Sequence, residues 1–278
     1  MDVAVGIVAQ RDNERAQDLA ATLVDTLERE DDAVAAVVDE ETSTAIDRNH
    51  APVAAMADRD LVVSIGGDGT LLFVAREVGG APILGVNLGE VGFLNAVAPD
   101  DAVDVVTDLV ATLRETGDAD GRELARLGAS GDGWTLEPAL NEIVVHGSRR
   151  GRGGGVTVEI RVDGEYYAES RADGVLVATP TGSTAYNLSE GGPLVHPAAD
   201  ALVVTQMAAM DSMPPLVADP DAEITLTVSE AETAYAISDG RNRQEIDPPA
   251  TVDVSVADDP VTLVGPQANF FDGLEKLE

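Results

Sequence analysis

The 278-residue chain contains no cysteine, and this absence excludes disulfides, thiolate metal sites and a cysteine nucleophile. It also has no uninterrupted apolar run of about 18 residues, the length that a helix needs to cross a membrane. The first residues lack the basic and apolar regions of a secretory signal, because a strand-like run begins at Val3. Together these absences predict a cytoplasmic protein.

Positive charge is scarce as well. The chain has 17 lysines and arginines against 51 aspartates and glutamates, which gives a net charge of −34. Such a charge repels nucleic acid and anionic membranes, so we expect neither as a partner. The acidic residues are spread along the whole chain and aromatic residues make up only 3%, which favours adaptation to a salt-saturated cytosol over an acidic interaction face. The composition therefore predicts a halophilic protein that loses its structure at low salt.

Strand and helix patterns alternate over residues 1–120. Short apolar runs predict strands at 3–9, 33–38, 61–65 and 83–86. Apolar residues at helical spacing predict one helix after Asn13, which could cap it, and another from Pro99 to Arg114. This alternation predicts a Rossmann-like α/β domain, in which helices cover both faces of a parallel sheet.

The pattern changes after residue 120. Short strands separated by turn signals are predicted at 143–145, 156–162, 166–170, 175–178, 224–228, 252–256 and 261–264. We therefore predict a mostly β, sandwich-like domain over 121–264. Residues 265–278 include Phe270 and Phe271, two of only four phenylalanines, which indicates a tail that packs back on the amino-terminal domain.

One glycine-rich loop carries the strongest chemical signal. It follows the predicted strand 61–65 and reads Gly66-Gly67-Asp68-Gly69-Thr70. Glycines allow backbone N–H groups to approach a ligand closely, and a helix that begins at this point favours anions. A carboxylate repels phosphate, so Asp68 among those amides indicates that it takes a proton or holds a metal ion. The loop predicts phosphoryl chemistry; a tight strand-to-helix turn without a ligand is the alternative.

The loop does not fit two well-known phosphate-binding motifs. No lysine follows it, so it is not a Walker A loop, and it lacks the Gly-x-Gly-x-x-Gly spacing of a dinucleotide fold.

Further segments contain polar residues at strand ends. Residues 85–94 form a second glycine-punctuated strand end, and Asn141-Glu142 precedes the predicted strand 143–145. An amide can pair with a base edge and a carboxylate can accept both ribose hydroxyls. Residues 171–189 place a buried strand before a hydroxyl-rich loop with one tyrosine, which suits a nucleoside. Plain surface loops are the alternative for each segment.

In this order, the segments resemble the NAD kinase family. The resemblance extends over about residues 61–246 and includes Gly-Gly-Asp-Gly-Thr, Asn-Leu-Gly with Gly-Phe-Leu, Asn-Glu, Thr-Pro-Thr-Gly-Ser-Thr-Ala-Tyr and Gly191-Gly192-Pro193-Leu194-Val195-His196-Pro197. Lipid kinases and phosphofructokinases share the first motif, whereas the 171–189 segment is far more specific. The resemblance implies an α/β domain and a β domain with the active site between them.

The resemblance also implies a reaction, in which a phosphate moves from ATP or polyphosphate to the 2′-hydroxyl of the adenosine ribose of NAD. Asp68 matches the general base of the family. Nucleotide-binding positions are matched by Gly66, Gly67, Gly69, Thr70, Phe93, Asn141, Glu142, Arg152, Arg171, Asp173, Thr181, Thr184, Ala185, Tyr186, Ser189 and Arg241. Arg241 stands where many members have glutamine, and Phe73 stands where relatives often carry a basic side chain.

The expected cofactor is Mg²⁺ or another divalent cation, which enters with the donor phosphates; the sequence assigns no metal ligands. His50, His146 and His196 are too scattered to predict a metal triad. The resemblance further implies a homodimer or homotetramer. Two other functions stay open: a lipid-type kinase that shares the glycine loop, and a non-catalytic NADP-binding module, which would have no need for Asp68.

Overall fold

The computed structural model describes residues 2–30, 34–89, 92–148 and 155–275. The chain forms two compact units, of which the first comprises residues 1–124 with 259–278 and the second comprises 125–258. Within the described residues, no helix is long and apolar enough to cross a membrane.

The helices, in chain order, are α1 (Glu14–Glu30), α2 (Glu40–Ile46), α3 (Asp68–Val78), α4 (Ala102–Thr116), α5 (Tyr186–Ser189) and α6 (Phe270–Leu274), with 3₁₀ segments at Val53–Met56 and Thr181–Thr184. The strands are β1 (Val3–Ala9), β2 (Val34–Val38), β3 (Leu61–Gly66), β4 (Ile83–Asn87), β5 (Gly121–Leu124), β6 (Leu127–Gly131), β7 (Trp134–Thr135), β8 (Glu142–Gly147), β9 (Val156–Val162), β10 (Glu165–Ala172), β11 (Gly174–Ala178), β12 (Leu202–Met207), β13 (Leu216–Ala218), β14 (Ile224–Ser229), β15 (Ala234–Ser238), β16 (Asn242–Ile246), β17 (Ala250–Val256) and β18 (Val261–Val264).

The first unit is built on a six-stranded sheet in the order β2-β1-β3-β4-β18-β5. The first five strands of this order pair in parallel, and β5 closes the edge antiparallel to β18. Alternate residues of β1, β3 and β4 pack against α1 and α4 in one apolar core. On the other face, Gly6 lies against Met56 and Gly85 lies against Leu71 of α3. The predicted α/β domain with helices on both faces is therefore confirmed.

The second unit contains two six-stranded antiparallel sheets, in the orders β10-β9-β14-β17-β6-β7 and β13-β12-β11-β8-β15-β16. Apolar residues of both sheets share one core, which includes Val145 and Val177 from one sheet and Ile160 and Leu226 from the other. The outer face of the second sheet carries a smaller apolar cluster, against which Tyr186 packs. The predicted sandwich-like β domain is thus confirmed as a class.

The boundaries of the second unit differ from the prediction of 121–264. Strands β5 and β18 pair with each other from Val261 with Leu124 to Val264 with Gly121, and both belong to the first unit. The difference arises because this pairing joins segments far apart in the sequence. Within the first unit the Phe270 ring lies 5.9 Å from the Phe93 ring, so α6 is in contact with the segment that follows β4.

Candidate active site

Asp68 is the first residue of α3, which begins directly after β3. Gly67 is the N-cap residue and has extended backbone angles. The helix therefore starts inside the glycine loop, at Asp68. A negatively charged side chain in the first turn is stabilised by the positive end of the helix. The first backbone N–H groups have no partner within the helix.

The carboxylate of Asp68 is held by the segment that follows β4. Its Oδ2 accepts a hydrogen bond from the backbone N–H of Phe93 (3.1 Å), and its Oδ1 accepts one from that of Leu94 (3.3 Å). The side-chain Nδ2 of Asn95 also donates to Oδ1 (3.0 Å). A Cβ at Gly92 would lie 2.3 Å from Oδ1, so a larger residue at Gly92 would displace the carboxylate.

The three glycines of the loop differ in the space around them. A Cβ at Gly66 would lie 2.4 Å from Oγ1 of Thr70 and 3.1 Å from Cβ of Gln10, so the fold itself requires a small residue there. Among the described residues, a Cβ at Gly67 or Gly69 would meet nothing within 4 Å, and neither has the positive φ that favours glycine. The described residues therefore leave open space beside the backbone at these two positions.

The loop also lies at a special point of the sheet. The strand order β2-β1-β3-β4 reverses direction between β1 and β3, and ligands of open α/β sheets bind outside the carboxyl ends of the strands at such a reversal. Gln10, which follows β1, donates its backbone N–H to Ile65 O of β3 (2.8 Å). The glycine loop is therefore placed where the topology favours a ligand.

In the second unit, Glu142 begins β8 and is only 6% exposed. Burial, and then the charge of Asp239, raise the pKa of Glu142 to about 7, although a hydrogen bond from the backbone N–H of Tyr186 acts in the opposite direction. Its Oε2 is buried and has no hydrogen-bond partner among the described residues. A buried carboxylate with an unsatisfied oxygen is unfavourable for folding.

Asp239 fixes the backbone on which Glu142 and Asn141 are placed. It lies in the turn between β15 and β16, where it adopts a left-handed conformation with φ +45° and Gly240 follows with φ +68°. Its carboxylate accepts hydrogen bonds from the backbone N–H groups of Leu140 (2.8 Å), Asn141 (2.8 Å) and Glu142 (3.2 Å). This turn therefore sets the position of the Asn-Glu pair on the neighbouring strand.

The hydroxyl-rich loop after β11 packs directly on the same pair. Thr179 donates its backbone N–H to Asn141 O (2.9 Å) and its hydroxyl to Leu140 O (2.6 Å). A Cβ at Gly182 would lie 2.0 Å from Asn141 O, so glycine is required for this contact. The start of this loop is therefore fixed next to Asn141 and Glu142. The loop contains the predicted residues Thr181, Thr184, Ala185 and Tyr186.

Buried Asn187 holds the far end of the loop. Its Nδ2 donates to Ser183 O (3.2 Å) and Pro193 O (2.9 Å), and its Oδ1 accepts from the Thr205 hydroxyl (2.8 Å). Ser183 Oγ also accepts from the backbone N–H of Val195 (3.1 Å). These residues give the loop a defined shape.

The remaining predicted residues of the second unit lie on or next to β10, α5 and the turn between β15 and β16. Arg171 is on the edge strand β10, where its Nη1 is 3.6 Å from Glu230 Oε2. Asp173 connects β10 to β11 and accepts from the backbone N–H of Gly147 through its carbonyl (3.2 Å). Ser189 and Arg241 are exposed, at the end of α5 and in the turn that contains Asp239. Arg152 lies outside the described residues, so its predicted contact has no structural account.

Sequence reasoning missed two residues that hold the site. Asn95 follows Leu94, just beyond the Gly-Phe-Leu motif, and the sequence indicates Asp239 only as part of a turn. Their partners are 27 and 98 residues away in the sequence, so no local pattern could identify them.

The two sets of residues define a class of protein: a two-domain enzyme that binds a nucleotide and handles phosphate groups. Family models support a narrower assignment. Residues 5–113 match the ATP-NAD kinase N-terminal domain, and residues 140–265 match the ATP-NAD kinase C-terminal domain. The chain belongs to the NAD kinase family.

Relatives and solved structures agree with this assignment. The chain is 54% identical to an NAD kinase of Haloarcula marismortui over 284 residues, covering 99% of this chain and 100% of the relative. It is 53% identical to an NAD kinase of Halobacterium salinarum over 282 residues, with 99% of each covered. Its fold is similar to that of yeast NADH kinase complexed with NADH, with a TM-score of 0.85 and 25% identity over 99% of this chain and 87% of that one. An NAD kinase from Archaeoglobus fulgidus in complex with ATP shares the fold, with a TM-score of 0.75 and 24% identity over 94% of this chain and 93% of that one.

Proposed function

We propose that this chain phosphorylates NAD at the 2′-hydroxyl of its adenosine ribose, with ATP as the phosphate donor and NADP as the product. The observation that supports it most is the placement of Asp68. A carboxylate is held in the first turn of a helix, next to two glycines that leave open space beside the backbone. A phosphate-binding loop that also needs a proton acceptor fits this arrangement.

In the proposed reaction, the oxygen of the ribose hydroxyl forms a bond to the γ-phosphorus, and Asp68 accepts the proton of that hydroxyl. The bond from that phosphorus to the bridging oxygen breaks, and ADP leaves. Phosphoryl transfer depends mainly on positioning and on stabilising charge. The N–H groups at the start of α3 supply local positive potential, which is important because the chain as a whole carries a charge of −34.

The second unit would bind the dinucleotide. The buried carboxylate of Glu142 suits two ribose hydroxyls, which could donate to the oxygen that has no partner among the described residues. Asn141 would contact the nucleotide through its amide. The loop 181–189 would enclose the nucleoside, and Arg152, Arg171 and Asp173 remain proposed contacts.

A divalent cation fits this site only through the donor. Over the described ranges, no group of three or more His, Asp or Glu side chains is arranged to hold a metal ion. Mg²⁺ commonly binds through substrate phosphates, so the donor phosphates would hold it. When bound, it neutralises negative charge on the phosphates.

A coupled assay of NADP formation from NAD, ATP and Mg²⁺ tests the proposal. We expect turnover that requires all three components. Tight NAD binding without NADP would instead support a non-catalytic NADP-binding module, and phosphorylation of diacylglycerol vesicles without NADP would support a lipid-type kinase. Replacing ATP with polyphosphate, and NAD with NADH, identifies the donor and the acceptor. We further propose that the protein is cytoplasmic and that it forms a homodimer or homotetramer. Light scattering would measure the oligomeric state.

A further inference from the structure

Asn95 lies in the segment that follows β4, and it is only 1% exposed. Its Nδ2 donates to Oδ1 of Asp68 at 3.0 Å, whereas its Oδ1 is buried without a hydrogen-bond partner among the described residues. A buried polar side chain that is only half satisfied is uncommon in native proteins and calls for an explanation. The contact with Asp68 needs the Nδ2 donor, and this need explains why a polar side chain is present at such a buried position.

The packing around Asn95 leaves its amide little freedom. A Cβ at Gly85 of β4 would lie 2.3 Å from Oδ1 of Asn95 and 2.9 Å from Cδ1 of Leu71. Because a Cβ at Gly85 would collide with Oδ1, the backbone of this central strand lies close against the amide of Asn95 and limits its movement. Because it is confined in this way, Asn95 can hold Asp68 more firmly than an exposed side chain could.

The hydrogen bonds are distributed unevenly over the two oxygens of Asp68. Among the described residues, Oδ1 accepts from Leu94 N and Asn95 Nδ2, whereas Oδ2 accepts only from Phe93 N. A carboxylate has about four lone-pair sites, two on each oxygen. The remaining site is therefore on Oδ2.

We propose that Asn95 is a positioning residue for the phosphoryl transfer: it holds Oδ1 of Asp68, so that Oδ2 is the atom that accepts the proton of the ribose hydroxyl. This inference rests on the proposed function and extends it to a residue outside the motifs of the family resemblance. Asn95 touches no substrate in this scheme and acts only through Asp68.

Asn95→Leu tests the inference, because leucine keeps the branched outline of the side chain, although it is larger, and has no donor. We expect kcat to fall by about 10–10²-fold, as for a small misplacement of a reacting group. The KM values for NAD and ATP should stay within about twofold, since the interaction matters in the transition state. An unchanged kcat in the folded variant would overturn the inference. So would a loss of kcat/KM that comes only from a higher KM.

A double-mutant cycle separates positioning from a general structural effect. If Asn95 acts through Asp68, adding Asn95→Leu to Asp68→Asn should change the residual kcat by less than about twofold. Full additivity of the two losses contradicts the inference. If Asn95→Leu does not fold, Asn95→Ala replaces it in the same cycle, because alanine is smaller and also has no donor.

Thr42→Val provides the matched control. Thr42 is also a buried polar residue of the first unit, and its Oγ1 accepts from the backbone N–H of Ala9 (3.2 Å). It should lose thermal stability without a change in kcat.

Failure of the proposed function can be recognised separately, because it would appear as no NADP formation by the unmodified chain. In that case a crystal structure of Asn95→Leu decides the inference. We expect the Asp68 carboxylate to turn away from its position against Leu94, and an unmoved carboxylate would overturn the inference.

Discussion

Asp239 accepts a hydrogen bond from the backbone of Glu142, and its negative charge disfavours ionisation of the Glu142 side chain. The Asp239 carboxylate accepts a hydrogen bond from the Glu142 N–H at 3.2 Å, and its charge is the second cause, after burial, that raises the pKa of Glu142 to about 7. One turn thus places the Asn-Glu pair and makes the ionised form of Glu142 unfavourable. The chain retains this unfavourable arrangement at the site where we propose that the dinucleotide binds.

Glu142→Gln should make the protein more stable above neutral pH. In the unmodified chain, Glu142 ionises near its ordinary pKa of 4.5 when unfolded and near about 7 when folded. Its contribution to stability is therefore fully present below about pH 4.5, decreases as the pH rises to about 7, and stays low above that. The variant removes this decrease, which is worth up to about 3 kcal/mol.

Urea unfolding of Glu142→Gln and the unmodified chain at several pH values and one fixed, high KCl concentration measures this difference. The variant should also bind NAD more weakly. Parallel stability curves between pH 5 and 8, within about 0.5 kcal/mol of each other, would contradict the assigned cause.

Asp239→Asn should destabilise the fold by about 1–3 kcal/mol, because one amide oxygen cannot satisfy three backbone N–H groups. Asparagine tolerates the left-handed conformation at this position, so the change isolates the carboxylate. Thermal unfolding measures the loss. Asp163→Asn is the matched control. Asp163 also lies in an Asp-Gly turn with φ +50°, but in the described part of the chain its carboxylate accepts a single hydrogen bond, from Glu223 N (3.0 Å), at an exposed site. An equal loss in both variants would show that the three-fold contact has no special weight.

Asp68→Asn should lower kcat by about 10²–10⁴-fold, because it removes the proposed proton acceptor. NAD affinity, measured by calorimetry, should stay largely unchanged. Asp104→Asn is the control, since Asp104 also lies in the first turn of a helix of the first unit but is exposed. Near-normal turnover of Asp68→Asn would exclude Asp68 as the base.

Gly69→Ala should separate the needs of the fold from those of the ligand. Residue 69 lies within α3, and a Cβ there would meet nothing within 4 Å, so alanine should stabilise the helix by about 0.5–1 kcal/mol. Turnover should nevertheless fall, because the methyl group enters the space that we assign to phosphate. Gly80→Ala, at another open position, should leave turnover unchanged. Full activity of Gly69→Ala would argue against a phosphate at this loop.

Salt should control folding of the whole chain. At a net charge of −34, repulsion between carboxylates is strong in dilute buffer, whereas the screening length falls to about 3 Å at 1 M salt. Circular dichroism during stepwise dilution of KCl should show unfolding at low salt and recovery when KCl is restored. A thermal transition that is independent of salt would contradict a halophilic protein.

The sequence by itself determined the elements whose signals are local. The limits of β1, β9 and β18 agree with the predicted strands, because a short buried run between turn residues defines a strand without reference to distant residues. The α2 helix was missed, since it is short and polar and depends on the Asp39 side chain, which accepts from the N–H groups of Glu41 and Thr42. The residue types at 66–70, 141–142 and 181–186 were likewise sufficient to indicate phosphate and nucleotide chemistry.

Only the tertiary structure decided which residues hold those groups in place. The pairing of β5 with β18 moved the domain boundary, the amide of Asn95 came to Asp68, and the Asp239 carboxylate came to Asn141. Each contact joins segments that are distant in the chain, and its energy comes from burial and hydrogen bonding that exist only after the sheets have formed. The sequence therefore determined the chemical groups of the site, whereas the folded sheets determined their positions and, for Glu142, the pKa.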